Sequence, residues 1–73
     1  MREALRERRR AMGLSQADVA RRIGVVTNYY SQIETGVRIP SLPVAMRLAR
    51  LMGEDIAVLF ADVASERGEQ VAS

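Results

Sequence analysis

Two side-chain amides, those of Asn28 and Gln32, stand four residues apart within residues 23–33, a stretch without any charged side chain. A primary amide offers a hydrogen-bond donor and an acceptor side by side, which is the pattern that pairs with N6 and N7 of adenine. Thr27 and Tyr29 flank Asn28, and the tyrosine can contact a thymine methyl group with its ring or a phosphate with its hydroxyl. These four residues are therefore candidates for reading base edges in DNA, provided that one helix presents them together. The alternative is that Asn28 and Gln32 only solvate an exposed helix.

Catalytic chemistry lacks its usual side chains in this sequence. The chain has no histidine and no cysteine, which removes the commonest general base, a thiolate nucleophile and the commonest metal ligands. No pair of carboxylates stands at a spacing that suits general acid–base work. We therefore expect no enzymatic activity, no metal site and no cofactor.

The charge of the chain is basic but unevenly distributed. All 11 basic residues are arginine. Residues 1–50 hold ten arginines and four acidic residues, a balance of +6, whereas residues 51–73 hold one arginine and five acidic residues, a balance of −4. This asymmetry favours a polyanionic partner on one side of the molecule. Solvated charges scattered over the surface would give the same composition.

Short helical segments that end at glycines account for most of the chain. The length of 73 residues suits one domain and is too short for a second core. Glycine readily takes the left-handed conformation that ends a helix, and the candidate helices are followed by Gly13, Gly24, Gly36 and Gly53. The spacing predicts helices over residues 2–12, 16–23, 27–35 and 42–52, and a fifth after Asp55.

The expected fold class is all-α, because no run of residues alternates between apolar and polar at period two. Ser15 and Asp18 form a variant of the capping box that begins the second helix. Ser41 is an expected N-cap for the fourth helix, where Pro43 needs no backbone donor. We expect one domain over residues 1–62 and a frayed, polar, acidic tail over residues 63–73.

The second and third segments are joined by a tight turn at Gly24, the pattern of a helix-turn-helix, whose second helix can enter the major groove of B-DNA. Further residues occur in order and at matching spacing: Gly13-Leu14-Ser15-Gln16, Val19-Ala20, Ile23-Gly24-Val25, Tyr29, Ser31-Gln32-Ile33-Glu34, Gly36, Arg38 and Pro40-Ser41-Leu42. In these positions the chain resembles the lambda-repressor/Cro-like helix-turn-helix family, the xenobiotic-response-element type of bacterial regulators. The resemblance covers about residues 3–60. It implies a compact five-helix domain with the helix-turn-helix at helices two and three.

The resemblance also implies roles for individual residues. Gln16 matches a residue that contacts a backbone phosphate and braces the recognition helix, and its amide would act with the N–H groups at the start of the second helix. Arg38 matches a basic residue that contacts phosphates beside the groove, and Arg10 is a weaker candidate for this contact. Arg9 matches an arginine that pairs with the glutamate matched by Glu34, which implies a structural ion pair. Simple polarity at a helix start remains the alternative for Gln16.

Two residues depart from the family pattern. Val26 stands where the recognition helix commonly has a serine or threonine N-cap, so Thr27 or the backbone must replace the cap, and the helix is expected to begin a residue late. Tyr30 stands where isoleucine is usual, and its hydroxyl must reach the surface or find a partner.

Helices four and five carry more apolar side chains than a monomer needs. Leu51 and Val58 stand where the family often has a small or charged residue, and Val44 and Ala61 extend the stripe. A contiguous exposed apolar area usually marks an interaction site, so these four residues are the predicted dimer interface. Apolar residues scattered over the surface are the alternative.

These features predict a sequence-specific regulator of transcription that binds double-stranded DNA as a homodimer on a palindromic operator, like a phage repressor or a restriction–modification controller. The alternative function is that of a helix-turn-helix antitoxin or adaptor whose main partner is another protein. A second regulatory protein or a toxin is therefore a further candidate partner. No segment reaches the roughly 20 apolar residues that span a bilayer, so we expect no membrane partner and a cytoplasmic location, on the nucleoid when bound to DNA.

Overall fold

The computed structural model describes residues 1–63 of the chain. This part contains five α-helices in chain order: α1 (Glu3–Ala11), α2 (Gln16–Ile23), α3 (Thr27–Thr35), α4 (Leu42–Met52) and α5 (Ile56–Leu59). Residues 61–63, after Phe60, are again helical. No β-strand occurs in residues 1–63, and the predicted all-α class is confirmed. The acidic tail was predicted over residues 63–73, and residues 64–73 lie outside the described residues.

Local signals explain where the helices begin. The Oγ of Ser15 accepts a hydrogen bond from the Asp18 N–H at 3.0 Å, and the Asp18 carboxylate accepts one from the Ser15 N–H at 2.9 Å, so the capping box is complete. The Oγ of Ser41 accepts from the N–H of Val44 at 3.4 Å at the start of α4. Asp55 occupies the N-cap position of α5, but its side chain makes no capping bond.

The third helix begins at Thr27, as the spacing predicted, and the one-residue delay expected from Val26 does not occur, although this N-cap residue offers no side-chain acceptor. The turn that precedes it explains this start. Gly24 has a φ of +77°, a conformation that other residues rarely adopt, and the Val25 N–H donates to the carbonyl of Ala20 at 2.9 Å. These contacts end α2 and fix the path of the chain into α3. The other glycines predicted to close helices also have positive φ values: Gly13, Gly36 and Gly53.

The core lies where all five helices meet. Helix α1 packs against α3, α4 and α5, α2 packs against α3 and α4, and α4 packs against α5. The buried apolar side chains are Leu5, Val19, Ala20, Ile23, Tyr30, Ile33, Val44, Ala45, Leu48, Met52, Leu59 and Phe60. No helix in this part of the chain has both the length and the apolar character needed to cross a membrane.

Helix α4 buries four of its apolar residues in the core: Val44, Ala45, Leu48 and Met52. Val44, which the sequence placed in an exposed apolar stripe, is only 8% exposed and belongs to the core, so this expectation is corrected. Leu42, two residues earlier, is 67% exposed. Both residues are apolar, so hydropathy alone does not predict which of them is buried. The side of α4 that faces α2 and α5 decides it.

Candidate nucleic-acid interface

Helix α3 has two faces with opposite environments. Tyr30, Ile33 and Glu34 are buried on its inner face, whereas Thr27 and Asn28 are exposed on its outer face. The other two candidate base readers, Tyr29 and Gln32, are half-buried. A single nine-residue helix therefore carries the candidate recognition residues on one side and part of the core on the other.

The carboxylate of Glu34 is 1% exposed and accepts four hydrogen bonds. Arg9 donates two of them, from Nε to Oε2 at 2.7 Å and from Nη2 to Oε1 at 2.9 Å. The hydroxyl of Tyr30 donates to Oε2 at 2.8 Å, and the amide of Gln16 donates to Oε1 at 3.3 Å. Arg9 also donates from Nη1 to the carbonyl of Leu14 at 2.9 Å. These contacts, the Glu34 network, join α1, α2 and the connection between them to the inner face of α3.

The Glu34 network stabilises one set of protonation states. Burial alone raises the pKa of Glu34, but hydrogen bonds from Arg9, Tyr30 and Gln16 outweigh it, so the pKa lies below its ordinary value. Burial, together with the hydrogen bond to Glu34, raises the pKa of Tyr30 far above its ordinary value. The hydrogen bond to Glu34 likewise raises the pKa of Arg9. The network therefore holds an ionised carboxylate, a neutral phenol and a guanidinium at neutral pH.

Gln16 is the first residue of α2, and its amide nitrogen donates to Glu34. This bond joins the start of α2 to the last turn of α3. A carboxylate also lies at this helix start, because Asp18 completes the capping box, and the hydrogen bond from the Ser15 N–H lowers its pKa. Arg21 pairs with Asp18 at 3.0 Å. An approaching phosphate therefore meets a partly compensated negative charge at the start of α2.

Arg38 folds back onto the end of α3. Its Nε donates to Oε1 of Gln32 at 2.9 Å, and its guanidinium lies 5.5 Å from the centre of the Tyr29 ring. Its backbone N–H donates to the carbonyl of Gln32 at 3.1 Å. The structure thus brings together three residues that the sequence had assigned to two different contacts, namely base readout and phosphate binding. While this bond holds, one of the two lone pairs of the Gln32 amide oxygen is occupied, so the amide can offer a base its NH2 group and the remaining lone pair.

Thr27, Asn28 and Arg10 do not take part in the contacts among Tyr29, Gln32 and Arg38. Thr27 and Asn28 are exposed at the start of α3, and the structure gives their side chains no hydrogen bond within residues 1–63. Arg10 is exposed in the last turn of α1, and no ion pair or hydrogen bond joins it to the other candidate residues in that range.

The structural roles of Arg2, Arg8 and Arg47 were not predicted from the sequence. The Nε of Arg8 donates to the carbonyl of Met52 at 2.6 Å, and Nη1 of Arg47 donates to the carbonyl of Ile23 at 3.3 Å. Each thereby satisfies a carbonyl at the end of a helix. The charge excess of residues 1–50 is consequently not all available to a polyanion, because several of its arginines hold the fold together.

The predicted dimer residues do not form one exposed stripe. Val58 is 45% exposed and Ala61 is exposed, but Leu51 is half-buried and packs against the core. Other large apolar side chains are exposed elsewhere, among them Ile39, Leu42 and Met46. Ile39 and Leu42 border a groove of about 190 Å³ that is also lined by residues of α5 and the segment after it.

Comparison with known proteins agrees with this geometry. A helix-turn-helix family model matches residues 5–59. A protein of Methanothermobacter thermautotrophicus described as an uncharacterized HTH-type transcriptional regulator is 41% identical over 66 residues, which cover 85% of this chain and 96% of that protein. The uncharacterized HTH-type transcriptional regulator YqaF of Bacillus subtilis is 35% identical over 66 residues, covering 90% of this chain and 87% of that protein. No solved structure matches the chain significantly.

The family match spans all five helices, and its helix-turn-helix corresponds to α2, Gly24 and α3. The resemblance inferred from the sequence is confirmed. The chain belongs to the lambda-repressor/Cro-like helix-turn-helix family of transcriptional regulators.

Proposed function

We propose that the protein binds specific sequences in double-stranded DNA through the outer face of α3, as a homodimer on a palindromic operator, and thereby regulates transcription. The observation that carries the proposal is the two-sided construction of α3, in which an uncharged polar face is backed by the Glu34 network. Its place of action is the cytoplasm, on the nucleoid.

Base readout needs side chains whose positions are set before the DNA arrives, since ordering them on binding reduces affinity. The Glu34 network supplies this because it joins α3 to α1 and α2 through side chains that are largely withdrawn from water. Thr27 and Asn28 then project from the first turn of α3, the part of a recognition helix that meets base edges. Tyr29 follows in the same turn, and Gln32 completes the face one turn along the helix.

Phosphate contacts would set the register on the duplex. Arg38 lies at the opposite end of α3 from Thr27 and is exposed, so it can meet a phosphate beside the groove. Gln16 and the N–H groups at the start of α2 offer a second contact, and Arg10 a third. None of these contacts distinguishes one base from another, which leaves specificity to the outer face of α3.

Two recognition helices read successive major grooves only when a dimer holds them about 34 Å apart. Val58 and Ala61 are exposed apolar candidates for such a two-fold contact, with Leu51 as half-buried support. A self-complementary interface is altered twice by one substitution, so Val58→Glu should give a folded monomer with weak half-site binding. Leu51→Glu is the poorer variant, because it would also place a charge against the core.

A second candidate function is binding of another protein, as in an antitoxin or adaptor. The exposed apolar side chains of Ile39, Leu42 and Met46 favour it, because exposed apolar residues, of which Ile39 and Leu42 border a groove, suit a protein partner. A toxin or a second regulatory protein would be such a partner.

Selection of bound sites from random duplex DNA, followed by sedimentation of the parent and Val58→Glu, tests the proposal. We expect an enriched sequence with two inverted half-sites, a dimeric parent and a monomeric variant. No enrichment of any sequence would overturn DNA recognition. Enrichment of a single half-site by a monomeric parent would overturn the homodimer alone.

A further inference from the structure

Arg2 precedes α1 near the start of the chain, yet it is buried, with only 5% of the residue exposed. Its Nε and Nη2 donate to the two carboxylate oxygens of Asp62 at 3.1 and 3.2 Å. Its guanidinium lies 5.2 Å from the centre of the Phe60 ring. These contacts anchor the guanidinium at the end of α5.

The third nitrogen of the same guanidinium reaches the far end of α3. Nη1 donates to the carbonyl of Ile33 and, at 2.9 Å, to the carbonyl of Arg38. The backbone N–H of Arg2 donates to the carbonyl of Glu34 at 2.8 Å. Arg2 therefore joins the last turn of α3 and the loop after it to the segment that follows α5.

The backbone of Arg38 is consequently held on both sides. Its N–H donates to the carbonyl of Gln32, and its carbonyl accepts from Arg2. The side chain of Arg38 is exposed; its Nε donates to Gln32, its guanidinium lies near the Tyr29 ring, and neither of its two Nη groups makes a hydrogen bond within residues 1–63. A fixed backbone with an exposed guanidinium is the arrangement that directs a cation to a defined point on a surface.

We infer that Arg2 is a positioning residue for DNA binding: it sets the loop from which Arg38 reaches a backbone phosphate, and it couples that loop to Asp62 in the helical residues 61–63 that follow α5. The inference rests on the proposed function. Only arginine fits this site, because the site requires a planar group whose donors reach a carboxylate on one side and two carbonyls on the other. A lysine amine has the charge but cannot span both.

A double-mutant cycle tests the inference. The variants are Arg2→Lys, Arg38→Ala and the combination of both, and the measurement is affinity for the selected operator over a series of salt concentrations. We expect Arg2→Lys to lose most of the affinity that Arg38→Ala loses, and to lower the salt slope of log K by about 0.9, as for one lost phosphate contact. In the Arg38→Ala background, Arg2→Lys should cause little further loss.

Arg8→Lys is the matched control, because Arg8 also lies near the start of the chain and donates to a backbone carbonyl, that of Met52, away from the Arg38 loop. It should leave the salt slope unchanged. Where Arg2→Lys fails to fold, Asp62→Asn is the second variant; it weakens the anchor of the guanidinium and should show the same non-additivity with Arg38→Ala.

The outcomes separate this inference from the function on which it rests. A parent that selects no DNA sequence overturns both. A parent that binds its operator while the losses of Arg2→Lys and Arg38→Ala add in full, or while Arg8→Lys lowers the salt slope equally, overturns the positioning role of Arg2 alone.

Discussion

The two faces of α3 lie in opposite environments, one buried in the core and the other largely exposed. On the inner face, Glu34 has every lone-pair direction in use and almost no contact with water. On the outer face, Asn28 is exposed and its side chain has no partner within residues 1–63. The side-chain hydrogen-bonding capacity is thus satisfied at Glu34, on the side that holds the fold, and left open at Asn28, on the side proposed to meet DNA.

This difference shows how a small domain can present open polar groups in fixed positions. A buried carboxylate is tolerable only when its hydrogen bonds are complete, and removing one partner leaves an uncompensated charge. The inner face is therefore intolerant of change, whereas exposed residues can be replaced at little expense to stability. Substitutions on the two faces should separate stability from DNA binding.

The largest expected effect comes from the inner face. Glu34→Ala should lower the free energy of unfolding by about 3 kcal/mol, because it leaves Arg9 and Tyr30 without their shared acceptor. Denaturant unfolding measures this loss. Glu7→Ala, at an exposed acidic residue of α1, is the matched control and should change stability by less than about 0.5 kcal/mol.

A double-mutant cycle between Arg9→Ala and Glu34→Ala sharpens the comparison. The two losses should be strongly non-additive, since each substitution removes the same bidentate pair. Additive losses would mean that the pair does not contribute to folding as a unit.

The outer face should give an effect on DNA with little effect on folding. Asn28→Ala should weaken binding to the selected operator by about 1–3 kcal/mol and leave nonspecific binding nearly unchanged. Competition between operator and random duplex measures both. Gln32→Ala should weaken both kinds of binding, because it also removes the side-chain acceptor of Arg38. An unchanged site preference in both variants would show that α3 is not the reader.

The start of α3 should respond in the opposite direction. Val26 is 72% exposed and gives no side-chain cap, so Val26→Ser should add a capping acceptor and raise stability by about 1 kcal/mol. Thermal unfolding measures the gain, with Val37→Ser, at another exposed valine, as the control. A loss of stability in Val26→Ser would mean that the valine makes a contact worth more than a cap.

The smallest expected effect is a change in how stability depends on pH, caused by the protonation of Glu34 in acid. Because its pKa in the folded protein lies below the ordinary value of 4.5, its contribution is complete above that pH and is lost as the pH falls through the folded-state pKa. Unfolding midpoints between roughly pH 6 and 3 should therefore fall less steeply in Glu34→Gln than in the parent. Equal slopes would show that the carboxylate is not stabilised by folding.

Features decided by near neighbours were predictable from the sequence. The capping box of Ser15 and Asp18, the glycine that ends α2 and the start of α4 at Ser41 depend on residues three or four positions apart. The family resemblance then implied that Arg9 faces Glu34, and the two lie 2.7 Å apart. The absence of charged side chains from residues 23–33 was also evident from the sequence, because it depends only on residue types and not on packing.

Tertiary packing decided what no short window of sequence contains. The difference between Val44 and Leu42 depends on which side of α4 meets α2 and α5. The partner of Arg2 stands 60 positions away, and Arg8 and Arg47 bond to carbonyls, which every residue possesses. An arginine side chain is long and flexible, and its partners are whichever acceptors the folded chain brings within reach. Sequence alone therefore determined the helices and the side chains that α3 presents, whereas the packing of α1, α4 and α5 decided which arginines became part of the structure.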